Sequence, residues 1–302
     1  IEEHRKLIDE LRTLHPSEES TVENILNEAI DSIKSGRNII PFGIKALDSP
    51  ASGMTRKELT VLGGRPGHGK TTLIINIVRS LLEQGYKVML FNREMSNIEM
   101  MKKMMIMEYD KIDYSVIRKG DLNGHTEIYK YSLDTIPKKY NNLKMYDNVR
   151  TLTDSMIEIS RYKPDVVIDD YIQLISVDKR KERRFQLEEV MQEYKWICKK
   201  ENCSGILVSQ LNRNLETRAD PRPRMSDYSE SGVIEQTAET AMFVFYGHNF
   251  DDTQYDKYES MIISAKTRYG RVGSFVVGFN GDRCKFYDTP DDARGQETLF
   301  ES

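Results

Sequence analysis

The sequence predicts an α/β fold: a mostly parallel sheet flanked by helices, with antiparallel strands at the C-terminal edge. Three observations predict it. Short apolar runs at 58–62, 87–91, 143–146, 165–171 and 205–209 have the length of buried strands. Helical stripes at 72–78, 97–108, 153–161 and 185–200 alternate with them, as in a parallel sheet covered by helices. After residue 240 the pattern changes to closely spaced strands at 241–246, 261–266, 272–279 and 285–287, read as antiparallel.

Taken in order, residues 1–14 carry a weak helical stripe (Leu7, Ile8, Leu11, Leu14) that Pro16 ends. A clearer helix spans 20–35, where Val22, Ile25, Leu26, Ala29, Ile30 and Ile33 recur at helical spacing and Gly36 follows as a C-cap. Its stripe packs either on its own domain or on a neighbouring subunit. Residues 41–53 read as a loop anchored by Phe42, Ile44 and Leu47. The helix at 97–108 holds Met100, Met101, Met104, Met105 and Met107, read as core filling. Residues 109–141 are helical, polar and irregular. The tail from Thr289 is polar and read as disordered. Three segments result: N-terminal linker or docking helices at 1–38, a main domain at 39–288 and a flexible tail at 289–302.

Composition narrows the function. The chain has 302 residues, 38% hydrophobic and 30% charged, enough for one large core or two smaller ones. A net charge of −4 excludes a uniformly basic nucleic-acid binder, so any such surface is local. Three cysteines, Cys198, Cys203 and Cys284, lack paired metal spacing and fit free thiols in a reducing cytoplasm. No apolar run reaches transmembrane length. No signal peptide is visible, and because the first residue is Ile1 rather than Met, a fragment of a longer chain with a further N-terminal domain is one open alternative.

The most informative stretch is Gly64-Arg65-Pro66-Gly67-His68-Gly69-Lys70-Thr71, which reads G-x-x-x-x-G-K-[ST] between a strand and a helix. Glycines let the backbone curl its N–H groups around a polyphosphate, and the following helix turns its positive end toward it. Lys70 then reaches the β- and γ-phosphates, and the Thr71 hydroxyl ligates Mg²⁺. Gly64 to Thr72 is therefore the candidate nucleotide-binding segment, for ATP or a deoxynucleoside triphosphate with Mg²⁺.

Other strand ends carry matching groups. Val166-Val167-Ile168-Asp169-Asp170 is an apolar strand ending in acids, a pattern that fixes a carboxylate near Mg²⁺; either acid could serve, or simply cap the strand. Glu94 ends a second such strand and could polarise the attacking water, or be a surface acid at a helix start. Gln210 ends a third, where an amide could sense the γ-phosphate. Ligands of open parallel sheets bind beyond such carboxyl ends. Two basic segments, Lys179 to Arg184 and the block from Arg213 through Arg218, Arg222 and Arg224, are candidates for nucleic-acid phosphates or are solvated faces.

Several strings resemble the DnaB-type replicative helicases: Phe42-Gly43-Ile44-Lys45-Ala46-Leu47-Asp48, Gly64-Arg65-Pro66, Arg93-Glu94-Met95 and Asp170-Tyr171-Ile172-Gln173-Leu174. Val208-Ser209-Gln210-Leu211-Asn212-Arg213, Arg222-Pro223-Arg224-Met225-Ser226-Asp227 and Glu230-Ser231-Gly232-Val233-Ile234-Glu235-Gln236 complete the set, in motif order from about residue 40 to 280. The resemblance implies a RecA-like core in a hexameric ring, with ATP between subunits and single-stranded DNA in the channel. It implies translocation 5′ to 3′ and duplex unwinding. By it, Asp170 is the Walker B acid that joins Thr71 at the metal, Glu94 the catalytic base and Gln210 the γ-phosphate sensor. Lys266 and Arg268 match a pair that reaches the neighbouring subunit's ATP, and period-two alternation puts both on one sheet face. The bare alternative is a charged hairpin edge.

The DNA-contacting positions the resemblance implies are Arg213, Arg222, Arg224, Ser229, Glu230 and Gly232. Ser229 stands where the family usually has an arginine, and Gly67-His68 where many members have Ser and Met, a change not expected to disturb phosphate binding. The helix at 20–35 resembles the linker that docks on an adjacent subunit. A primase and a helicase loader are the expected partners. The tail Gln296-Glu297-Thr298-Leu299-Phe300 resembles a sliding-clamp peptide, against a plain unstructured end. The rivals are a RecA-like recombinase or other oligomeric DNA-dependent ATPase, and a non-catalytic ring.

Overall fold

A computed structural model describes residues 21–35, 39–120, 126–177, 182–212, 215, 218 and 220–295. The chain divides into two compact units, 1–38 and 39–302. In the first, helix α1 (Val22–Ser35) has Glu23 in its first turn and Lys34 in its last, charges that suit its dipole. Its stripe of Val22, Ile25, Leu26, Ile30 and Ile33 is exposed.

The second unit opens with a two-stranded antiparallel pair, β1 (Ile39–Ile40) and β2 (Met54–Thr55), around helix α2 (Lys45–Ala51). The loop expected at 41–53 is thus a closed cap. The backbone N–H groups of Phe42 and Gly43 donate to Asp48 at 2.7 and 2.8 Å, and Phe42, Ile44 and Leu47 are buried beneath.

The main strands are β3 (Leu59–Gly64), β4 (Val88–Asn92), β5 (Leu143–Tyr146), β6 (Val166–Asp170), β7 (Ser204–Gln210), β8 (Thr240–Phe245), β9 (Glu259–Thr267), β10 (Gly273–Asn280) and β11 (Lys285–Tyr287). They form one sheet in the order β11-β10-β9-β8-β3-β7-β6-β4-β5. The six strands from β8 to β5 are parallel, and β9, β10 and β11 add antiparallel at one edge. The sheet is the one the sequence predicts.

Strand parity sorts the core into two layers. Val88, Leu90, Val166, Ile168, Ile206 and Val208 point to one face, packed by α3 (Lys70–Glu83) and α4 (Asn97–Tyr109). Met89, Phe91, Val167 and Leu207 point to the other, against α7 (Leu152–Tyr162) and α8 (Arg183–Glu201). Met100, Met104 and Met107 fill the first layer, whereas Met101 and Met105 line an open apolar groove of about 280 Å³ with Tyr129 and Leu133. The irregular stretch at 109–141 holds α5 (Tyr114–Lys119) and α6 (Glu127–Lys139). The tail departs from expectation: Pro290–Arg294 is a short helix, α10, with a Thr289–Asp292 capping box and buried Ala293. Between α8 and α10 lies α9 (Ser231–Thr237).

The second layer holds a buried polar hub. Asp169, fully buried, accepts from Arg93 Nε and Nη2 at 2.6 Å each and from the Tyr194 hydroxyl. Other guanidinium protons go to the Val149 carbonyl at 2.7 Å and the Ser155 hydroxyl at 2.8 Å. Removing one partner strands a buried charge, which costs far more than the pair contributes. Arg93→Met therefore lowers unfolding free energy by about 3–5 kcal/mol, and Tyr194→Phe by about 1–3 kcal/mol, in urea titrations. The double variant Arg93→Met/Asp169→Leu recovers part of the larger loss; no recovery would mean the hub stabilises through packing alone.

Candidate nucleotide-binding site

The loop after β3 is held from several sides. Gly69 is the N-cap of α3 at φ +87°, and a Cβ there would press on Phe279 and Phe286 at 3.3 Å, so only glycine suits both the angle and the space. Lys70 Nζ donates to the Arg65 carbonyl at 3.0 Å, and Arg65 Nη1 to the Leu211 carbonyl at 3.0 Å. Asn249 Nδ2 donates to the Gly67 carbonyl at 2.9 Å. His68 is buried, and its Nδ1 accepts the Tyr246 N–H at 3.1 Å, so this residue anchors the loop to the end of β8.

A cleft of about 230 Å³ opens over the loop, lined by Pro66, Gly67, Gly69, Lys70, Thr71, Thr72, Glu94 and Gln210, and also by Met95, Lys103 and Phe279. Residues from the ends of β3, β4 and β7 thus meet at one place, and the end of β6 is bonded to its Thr71. Thr71 Oγ1 donates to Asp170 Oδ2 at 2.9 Å. Asp170 is 1% exposed, and burial pushes its carboxyl up to about 6 despite the Thr71 hydrogen bond and the Lys70 charge. Burial likewise pulls the Lys70 ammonium below its usual value, against the attraction of Asp170 and Glu94. A polyphosphate in the cleft would return Lys70 a close anionic partner.

Of the two adjacent acids, Asp170 faces α3 and Asp169 faces the opposite layer, where Arg93 and Tyr194 occupy it. Asp170 Oδ1 is buried and has no hydrogen-bond partner among the described residues. A hard oxygen donor beside a threonine hydroxyl at a phosphate loop fits Mg²⁺. No group of three or more His, Cys, Asp or Glu able to hold a metal occurs among the described residues.

The other predicted residues lie apart from this cleft. Lys266 Nζ caps α9, donating to the Glu235 carbonyl and, at 2.6 Å, to that of Ala238. Arg268 follows β9, is largely exposed, and makes long ion pairs with Glu58 at 3.5 Å and Glu239 at 3.7 Å. Arg268 is the first residue beyond β9, which ends at Thr267. Glu58 precedes β3 and the phosphate loop follows it, so Arg268 sits roughly 20 Å from its own chain's cleft, the length of a six-residue strand.

Ser229, Glu230 and Gly232 gather at the start of α9, where Glu230, Gly232, Asn212 and Arg184 border a second cleft of about 360 Å³. The Ser229 hydroxyl donates to Asn212 at 3.0 Å. Arg222 and Arg224 do not line that cleft. Asp220 accepts three hydrogen bonds from Arg222, two from its guanidinium and one from its backbone N–H, and pairs with Arg224 at 3.5 Å, which holds its carboxyl down at about 2. Arg218 is tied to Asp227 at 2.7 Å. Arg213, residues 179–181 and the tail at 296–300 lie outside the described residues.

Sequence reasoning did not single out Lys103, Met95 or Phe279. Lys103 makes no ion pair among the described residues and stands 5.3 Å over the Tyr114 ring at the cleft wall. It lies nine positions after Glu94 on α4, and only the packing of α4 against the loop brings it there.

Comparison with known proteins places this geometry. The model of the DnaB-like helicase C-terminal domain matches residues 40–288. The replicative DNA helicase DnaB of Haemophilus influenzae is 31% identical over 296 residues, covering 92% of this chain and 63% of that protein. Its counterpart in Buchnera aphidicola subsp. Acyrthosiphon pisum is 30% identical over 295 residues, covering 92% and 64%. The chain thus spans under two thirds of these relatives. The fold matches a solved ATPase domain with a TM-score of 0.81 and 24% identity, over 90% of this chain and 99% of that one. It also matches a DnaB-like replicative helicase studied with primase, with a TM-score of 0.76 and 24% identity, over 95% and 71%. With its family model covering the whole sheet and both strand-end acids, the chain belongs to the DnaB-like helicase C-terminal domain family.

Proposed function

We propose that this chain is the motor of an ATP-driven DNA helicase, a ring hexamer that moves 5′ to 3′ on single-stranded DNA and unwinds duplex. The observation that carries it is the meeting of the phosphate loop, Asp170 and Glu94 around one cleft, in a chain of this family. The loop from Gly64 to Thr72 binds ATP or another nucleoside triphosphate. Lys70 offsets charge on the β- and γ-phosphates. Thr71 and Asp170 hold Mg²⁺, which when bound supplies electrostatic stabilisation of the phosphoryl group. Glu94, exposed to the cleft, takes the proton of the attacking water, and Gln210 hydrogen-bonds the γ-phosphate.

The fifth component comes from another copy. Arg268, exposed at the opposite end of the sheet from its own cleft, supplies a cation to the neighbour's triphosphate, with Lys266 holding the end of α9 beside it. The exposed stripe of α1 docks on a neighbouring copy, which accounts for an amphipathic helix with its apolar face in water. Arg213, Arg222, Arg224, Ser229, Glu230 and Gly232 form the DNA-facing segment. A primase, a helicase loader and, through Gln296 to Phe300, a sliding clamp are the proposed partners, in the cytoplasm. No helix among the described residues is long and apolar enough to cross a membrane.

The test is mixed-ring ATPase measurement. Lys70→Ala and Arg268→Ala chains are each inactive alone; mixed, about one interface in four pairs an intact Lys70 with an intact Arg268 and turns over ATP. No restored activity in rings that assemble would remove the trans role of Arg268. A forked-duplex assay separates the recombinase alternative, which exchanges strands without unwinding. Glu94→Gln lowers ATP turnover by about 10²–10⁴-fold while Mg²⁺-ATP affinity, read by titration calorimetry, stays within a few-fold. Retained turnover would remove Glu94 as the base; a loading or tethering function left intact while turnover is lost would point to a non-catalytic ring.

A further inference from the structure

Asn92 is the last residue of β4, two before Glu94, and it is 0% exposed. Neither Nδ2 nor Oδ1 of its amide has a hydrogen-bond partner among the described residues. Its register partner across the parallel β4–β6 ladder is Asp170. Strand parity places both on the face packed by α3, since Val88 and Leu90 of β4 and Val166 and Ile168 of β6 share that layer. Asp170 Oδ1 is also buried and unpartnered. Two orphaned polar groups therefore lie on neighbouring strands, about 5 Å apart in backbone spacing, one two residues before the cleft-lining Glu94 and the other bonded to the cleft-lining Thr71.

Buried polar groups are almost always satisfied, and an orphan lowers stability. An amide between Phe91 and the site has no packing justification, because the preceding β4 residues are all apolar. The second orphan beside it belongs to the carboxylate read as a Mg²⁺ ligand. Neither Lys70 nor Thr71 relieves Asn92, since their hydrogen bonds go to Arg65 and Asp170.

We infer that Asn92 is a positioning residue of the Mg²⁺–nucleotide site, its amide satisfied by the Asp170 carboxylate and the water that accompanies the ion. This rests on the reading of Asp170 given above. Asn92 touches neither nucleotide nor reacting atoms. It orients the carboxylate and adds hydrogen-bonding capacity that is used only in the loaded state. Partners behind a metal ligand commonly change metal affinity by about 10–100-fold.

The experiment uses the full chain and a non-hydrolysable ATP analogue, titrated with Mg²⁺ and with EDTA, together with melting temperatures of the nucleotide-free protein. Asn92→Val is expected to melt no lower than the parent, because an orphan has been removed. It loses about 10-fold or more of the Mg²⁺-dependent gain in affinity, while affinity in EDTA stays within about 2-fold. Asn92→Ser, which keeps a donor and an acceptor, retains most of the gain. Should Asn92→Val not fold, Asn92→Ala carries the same comparison. Full retention of the Mg²⁺ gain in the apolar variant overturns the inference, as does an equal loss in Mg²⁺ and EDTA. Asp170→Asn is the control: if it keeps the Mg²⁺ gain, the assignment of Asp170 has failed rather than the role of Asn92.

Discussion

The hydrogen bond from Thr71 to Asp170 is the contact on which the site depends. It joins the first turn of α3 to the end of β6, two strands away from β3 in the sheet. Without it, the phosphate loop and the acidic strand end would be independent features of one sheet edge. With it, a glycine-rich loop at a helix N-terminus and a buried carboxylate with one unbonded oxygen face the same space. The cost is electrostatic: a buried carboxyl pushed up to about 6 and a buried ammonium pulled down, both relieved by a ligand carrying opposite charges in the right order.

One residue of offset separates two kinds of work. Asp169 and Asp170 are neighbours on β6, and the pleat sends them to opposite layers. Asp169 is taken up by Arg93 and Tyr194 and fastens β6 to β4 and α8. Asp170 is left with one oxygen bonded and one not. The rigidity of the first makes the placement of the second reliable, because a strand whose end is pinned on one face cannot rotate its other face away. Arg93, one residue before the cleft-lining Glu94, extends the same logic to β4, whose end is held while its acid remains exposed.

The opposite end of the sheet carries a different arrangement. Lys266 closes the C-terminal end of α9 and Arg268 reaches outward past Glu58 and Glu239. A strand length separates these groups from the phosphate loop of the same chain. A sheet with anionic-ligand chemistry at one end and an exposed arginine at the other is suited to head-to-tail contact, in which one copy's end completes the next. The short helix α9 ties this end to the Glu230–Gly232 turn, so the proposed interface and the proposed DNA-facing segment share one element.

Much of this was legible in the sequence. Strand order in the chain, the edge of antiparallel strands and the phosphate loop follow from apolar runs and glycine spacing, which local stereochemistry imposes whatever the surroundings. The helix inside 41–53 and the capped helix at 290–294 were not legible, because each is too short to show a helical repeat; Asp48 reaching back to Phe42 holds the first, and Arg294 pairing with Asp256 helps hold the second. Residue patterns alone left Asp169 and Asp170 interchangeable; tertiary structure separated them, since only the packing of α3 and α8 on opposite faces says which layer holds which. His68 as a loop anchor, Lys103 at the cleft wall and the unpaired amide of Asn92 likewise depend on contacts between elements far apart in the chain. By itself the sequence determined the main strands and the longer helices and which residues end them, because these rest on periodicity and backbone preference. Only the tertiary structure decided which of those ends meet and which groups stay unsatisfied, because that depends on how the two layers close on the sheet.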